Sequence, residues 1–224
     1  MYRDKYKNEE LTSDIVKNVI LSLGLHLIIA IVVVTISTCF SSVAKFIDEN
    51  SWKLIGFSFV LPLTLSVFVN KIHINLNRVI ALLYTVFTGL LMTYAAFKYG
   101  IPKFLLAIFI SVIIFSVMSY FGNNTKEDLE RYRVILKINL FFLIVMMLVN
   151  LYFGVHILYW IIDYSIIGNF TAFIAFDINH IKQEVSLANK NEKLLKRIEL
   201  SGMLQFYFDF MILSVALMDI LTRK

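Results

Sequence analysis

Runs of about twenty apolar residues recur from near the N-terminus to the end of this chain, and that recurrence narrows the possible folds more than any other feature. A helix of that length crosses the roughly 30 Å hydrocarbon core of a bilayer. The runs fall at 18–40, 53–70, 79–98, 101–121, 134–153, 156–177 and 202–220. They predict an all-α integral membrane protein with seven transmembrane helices. Residues 1–17 form a cytoplasmic N-terminal tail or short surface helix, and 18–224 form one seven-helix domain. The fifth and sixth runs are parted by little more than Gly154, but together they far exceed a bilayer and so are two spans. Gly100 and Pro102 in KYGIPK predict a tight turn between the third and fourth. Composition agrees, with 59% hydrophobic and only 17% charged residues and a mean hydropathy of +0.77. The first run is too long for a signal-peptide core and reads as a retained span. Cys39, the one cysteine, lies in an apolar run and reads as a small buried residue.

Orientation follows from the basic residues, which concentrate on the cytoplasmic side of membrane proteins. Arg3, Lys5, Lys7, Lys17, Lys71, Arg78, Lys126, Arg131, Arg133, Lys137, Lys182, Lys190, Lys193, Lys196 and Arg197 fall on one side. Only Lys45, Lys53, Lys98, Lys103, Arg223 and Lys224 fall on the other. This places the N-terminus in the cytoplasm and the C-terminus outside, in an integral membrane protein. Trp52, Tyr99, Tyr159 and Trp160 fit interfacial anchors. The net charge of +5 belongs to membrane flanks, not to a basic, aromatic-interleaved patch, so no nucleic-acid partner is expected. The partner these flanks imply is the lipid bilayer.

Acids inside such runs mark function by default, because a carboxylate at the bilayer centre costs at least about 2.5 kcal/mol to insert. Asp177 ends the sixth run and Asp209 lies about two turns into the seventh, which predicts similar depth near the cytoplasmic face. Asp163 precedes Asp177 by fourteen residues, about 21 Å along a helix, and nearly shares its direction. Ile166, Ile167, Phe170 and Ile174 lie between as an apolar seal, so Asp163, and Asp219 near the outer end of the last helix, are pathway candidates. Each has an equally good reading as an interfacial residue. His26 reads as a satisfied interior histidine. Thr125 and Asp128 resemble a capping box for the fifth helix. Residues 182–199 read as a short interfacial amphipathic helix.

Three stretches in order, YFGNNTKEDLERY, FDINHIK and GMLQFYFDFMILSVALMDIL, together resemble the signatures of the Bax-inhibitor-motif family, with FTG at Phe87–Gly89 as a weaker match. The resemblance implies a last helix at the centre of the bundle, wrapped by the other six. Its own sequence agrees, being apolar on every side. For function the resemblance implies a pH-sensitive calcium leak channel, in which an aspartate pair on the last two helices senses protons and gates cation passage. By motif these are Asp177 and Asp209. The family latches that pair with an arginine on the second helix. Here that run has none, and Lys71 or Arg78 are the nearest cations.

Two carboxylates a few ångströms apart in a low-dielectric site do not both ionise easily, so a shared proton clamps their helices together. Calcium prefers six to eight oxygen ligands. Asp177 and Asp209 would therefore hold it weakly and transiently, as a permeant ion, with no cofactor required. A proton-coupled small-solute transporter and a non-transporting regulator of a partner complex are the alternatives. Catalysis is not expected. Asp209 lacks the Gly-x-Gly setting of intramembrane aspartyl proteases, being flanked by Tyr207, Phe208 and Phe210, and no HExxH motif is present.

Overall fold

The computed structural model describes residues 2–50, 73–125, 127–188 and 191–223. Among them there is no strand. The elements are α1 (Tyr2–Thr38), α2 (Ser41–Glu49), α3 (Ile74–Tyr99), α4 (Ile101–Asn124), a 3-10 turn (Leu129–Tyr132), α5 (Arg133–Phe153), α6 (His156–Leu187) and α7 (Glu192–Thr222). Six of these helices are long and apolar enough to cross a membrane. The expected second span, 53–70, and with it Trp52, Lys53 and Lys71, lies outside the described residues.

Helix ends follow local chemistry. The α3–α4 turn is made by Gly100, at φ 90, whose N–H donates to Ala96 O. Pro102 takes the first turn of α4, where a missing N–H costs nothing. Gly154 ends α5 in the left-handed region, φ 63 and ψ 30, donating to Asn150 O. A side chain there would be strained. The expected split between fifth and sixth helices thus lies at Gly154.

Several boundaries differ from the sequence expectations. No break separates a tail over 1–17 from the first span, because α1 runs unbroken from Tyr2. Residues 182–199 do not make a separate interfacial helix, since α6 continues to Leu187 and α7 already begins at Glu192. Thr125 and Asp128 do not cap the fifth helix. Thr125 Oγ1 accepts from Glu127 N, Asp128 Oδ1 accepts from Glu130 N at the 3-10 turn, and the N-cap of α5, Tyr132, makes no side-chain cap bond. Cys39 is exposed, since it falls where α1 has ended.

The chain packs as two compact units: Met1–Ile101 with Ile181–Phe208, and Pro102–His180 with Asp209–Lys224. On α3 and α4 small and polar residues make up most of the buried face, while many large apolar ones point outward. On α3 the buried positions include Asn77, Ala81, Thr85, Thr88, Gly89 and Thr93, while Leu76, Val79, Leu82, Leu83 and Val86 are exposed. On α4 Ala107, Ser111, Phe115, Ser119 and Gly122 are buried at three- and four-residue spacing, and Leu105, Leu106, Phe109, Val112 and Ile113 are exposed. Lipid is as apolar as leucine, so helices in it associate through small residues and buried hydrogen bonds. Gly89 lets α3 lie against Ala30 and Val33 of α1. In the second unit Gly122 brings α4 onto the backbone of α6 at Ala175, and Ser214 of α7 donates to Ser111 of α4 at 2.9 Å. The helices differ in what they cover. Half of the most apolar window of α7 is buried (50%), against 11% for α5, so α7 faces protein and α5 faces lipid.

Candidate functional site

Asp177 and Asp209 both belong to the second unit. Asp177 is 1% and Asp209 4% exposed, and their carboxyls lie within hydrogen-bonding reach of each other. An ionised carboxylate only accepts hydrogen bonds. A bond between two carboxyls therefore requires a proton on at least one. Ile174 and Ile178 of α6 and Phe210 of α7, close to the acids in sequence, are buried to 2% exposure or less, and Phe210 meets Phe115 of α4 edge-on at 6.3 Å.

The local geometry departs from the expected one. Asp177 does not end its helix, since α6 runs about three further turns to Leu187, and Asp209 is nearly five turns into α7, not two. Buried and inside its helix, Asp177 is not placed to snorkel or to cap a helix end. The helix continues because the residues after Asp177, among them Lys182, Gln183 and Glu184, are good helix formers. Only the hydropathy stops there.

Just beyond the pair, two of the motifs singled out in the sequence meet. Asn179 Oδ1 accepts from Leu129 N at 3.3 Å, and Asn179 Nδ2 donates to Glu127 O at 3.3 Å. His180 Nδ1 lies 2.5 Å from Glu130 Oε1, and Glu130 also pairs with Arg133 at 3.5 Å. The His180 ring stacks on Phe176 at 5.7 Å. The KEDLERY loop is thus tied to α6 within one turn of Asp177. Sequence reasoning gave that loop only a capping role, although its place among the matched motifs was a signal for more. Deeper in the same unit, Asn139 of α5 donates to the buried Asn169 of α6 at 3.0 Å. Phe170 and Ile174 of the expected seal are buried, while Ile166 and Ile167 are half-buried.

At the other end of α6 the structure brings Asp163 and Asp219 together as well, through a side-chain hydrogen bond. Arg223 Nη2 lies 2.9 Å from Asp163 Oδ2 and also pairs with Asp219. The sequence reading treated Arg223 only as a charge outside the membrane. Of the suggested latch cations, Lys71 lies outside the described residues. Arg78 is an exposed residue of α3 in the first unit.

The first unit has its own buried polar contact, again between matched motifs. Thr88 Oγ1 and the Tyr207 hydroxyl are 2.6 Å apart, and the Tyr207 hydroxyl also bonds Thr85. Tyr84 and His26 approach the Tyr207 ring edge-on at 5.8 and 6.4 Å. His26 is buried, with Nδ1 on Ser22 O at 2.8 Å. Among the described residues its Nε2 has no hydrogen-bond partner. Thr88→Val is expected to cost about 1–2 kcal/mol by stripping a buried hydroxyl of a partner. Adding Tyr207→Phe should cost less than the two single losses together, because the two groups share one interaction. A double-mutant cycle of denaturant unfolding in detergent measures this.

Comparison with known proteins identifies relatives across most of the chain. The chain is similar to the inner membrane protein YbhL of Escherichia coli K12, 23% identical over 188 residues, covering 82% of this chain and 80% of that protein. It is also similar to an uncharacterized protein of Borreliella burgdorferi, 26% identical over 171 residues, covering 76% of this chain and 74% of that one. The family described as inhibitor of apoptosis-promoting Bax1 matches residues 12–224. With helices fit to span a membrane and the matched motifs packed against one another, this chain belongs to the Bax inhibitor-like family of membrane proteins.

Proposed function

We propose that this protein is a passive calcium leak of a bacterial inner membrane, gated by protons at Asp177 and Asp209. In this proposal six spans surround the last of seven, the N-terminus is cytoplasmic and the C-terminus is outside. The single observation that carries the proposal is the carboxyl–carboxyl contact buried between α6 and α7. A membrane protein bears the insertion cost of two acids only where they are used. A shared proton holds the two helices together. Loss of that proton leaves two like charges in a low-dielectric site, which drives the helices apart and exposes oxygen ligands to a cation. Among the described residues no three His, Cys, Asp or Glu side chains converge. Two aspartates alone fall well short of the six to eight oxygens calcium prefers, which suits passage over storage.

The sign of the pH response follows from linkage. The clamped state binds more protons than the open one, so rising pH favours opening. Calcium flux into proteoliposomes, measured from about pH 5 to 8, is expected to rise with pH for the wild type and to lose that slope in Asp177→Asn. A leak with an unaltered slope in Asp177→Asn would reduce the pair to structure. Saturable solute flux coupled to protons, with no calcium flux, would establish a transporter instead. No flux of any kind would leave a partner-protein role.

A further inference from the structure

The end of the second unit that carries residue 223 holds a second acid pair, with a cation, Arg223, between its carboxylates. Asp163 lies on the second turn of α6 and Asp219 on the last turn of α7. Arg223 follows α7 by one residue, and its guanidinium pairs with both carboxylates. The same group lies over two rings of the first turn of α6, 4.9 Å from the Tyr159 centroid and 5.8 Å from that of Trp160. A planar guanidinium suits this place because Nη2 at its edge meets both carboxylates while its face lies over the aromatic rings. Its side chain is 16% exposed and that of Asp163 9%, so this is no solvated surface pair of the kind that contributes almost nothing. The helices it joins are the two that carry Asp177 and Asp209.

We infer that Arg223 is a tethered cation that locks the start of α6 to the end of α7, a latch at the end of the unit remote from the Asp177–Asp209 pair. The distance between the two pairs is fixed by helix geometry, about 21 Å along α6 from Asp163 to Asp177. The buried apolar residues Phe170 and Ile174 lie between. With the latch closed, the C-terminal turn of α7 is held down and the residues beneath it are shielded. With the latch open, α6 and α7 splay from that end. The latch is independent of what, if anything, crosses the membrane.

Its test is a cysteine-protection measurement in nanodiscs, where both faces of the protein meet the reagent. Ala216, one turn before Asp219, is buried, so Ala216→Cys in a Cys39→Ser background reports opening of this end. Leu143→Cys on α5, also buried, reports general loosening. Maleimide labelling at position 216 is expected to rise by about tenfold in Arg223→Gln, as local opening of one end predicts. The same rise is expected in Asp163→Asn/Asp219→Asn, while position 143 stays protected. Arg223→Lys keeps the charge but loses the planar group that lies over the Tyr159 and Trp160 rings, and should fall between. Should Ala216→Cys fold poorly, Met218→Cys serves in its place. Unchanged labelling at 216 in Arg223→Gln, or an equal rise at 143, would overturn the latch.

Discussion

Asp209→Asn is expected to give a protein whose calcium flux is low and flat from about pH 5 to 8. An asparagine amide still donates a hydrogen bond to Asp177, but it has no proton to lose. The clamp between α6 and α7 is therefore permanent. In the wild type the same bond depends on a proton, and a gate linked to one proton responds by up to about tenfold per pH unit. Asp209→Ala separates this from a simple loss of function. Alanine removes both the donor and the charge, so its flux should also be flat with pH but high. Two flat profiles at opposite levels identify position 209 as the clamp. If asparagine and alanine give the same level, the hydrogen bond between the two acids does not hold the gate.

The second large effect concerns packing. A Cβ added at Gly122 would lie 2.4 Å from Ala175 O and 2.9 Å from Ala175 Cα. Both are backbone atoms, which cannot swing aside as the end of a side chain can. Gly122→Ala should therefore push α4 and α6 apart at a cost of about 1–3 kcal/mol, the usual range for overpacking. A Cβ added at Gly168, also on α6, would meet nothing within 4 Å. There alanine should stabilise the helix by up to about 1 kcal/mol, through helix propensity alone. Opposite signs for two identical substitutions, read by chemical unfolding in detergent, check the close approach. Because Ala175 is two residues from Asp177, Gly122→Ala should also disturb the pH profile of flux.

Much of the fold was legible because lipid imposes one rule on every span. An apolar run of sufficient length must be a helix, and the expected runs begin or end within a few residues of described helix boundaries at Thr38, Tyr99, Ile101, Phe153 and His156. What hydropathy does not see is a helix leaving the bilayer. The polar residues after Asp177 and before Ser201 looked like a connection, yet both helices continue through them, so Asp177 and Asp209 lie further from their helix ends than expected. The pairing of these acids was legible nonetheless, since intramembrane carboxylates are too costly to be casual. Arg223 was not. It is far from Asp163 in sequence, it sits where a terminal basic residue is ordinary, and only the antiparallel packing of α6 and α7 brings it between two acids. Asn179, His180 and Glu130 escaped for a similar reason, because side chains at loop ends are read for capping before long-range contact.

One helix sets a further condition on all of this. On α5 only Leu143 and Asn150 are buried, so its neighbours on most sides are acyl chains, and the thickness of the hydrocarbon layer governs how far it tilts. It is joined to α6 by a short connection at Gly154, whose left-handed backbone favours glycine over any residue with a side chain. Tilt imposed on α5 therefore reaches, within a few residues, the start of the helix that carries Asp163 and Asp177. Acyl-chain length becomes a mechanical input to both acid pairs, and bilayers of different thickness are not interchangeable surroundings for this protein.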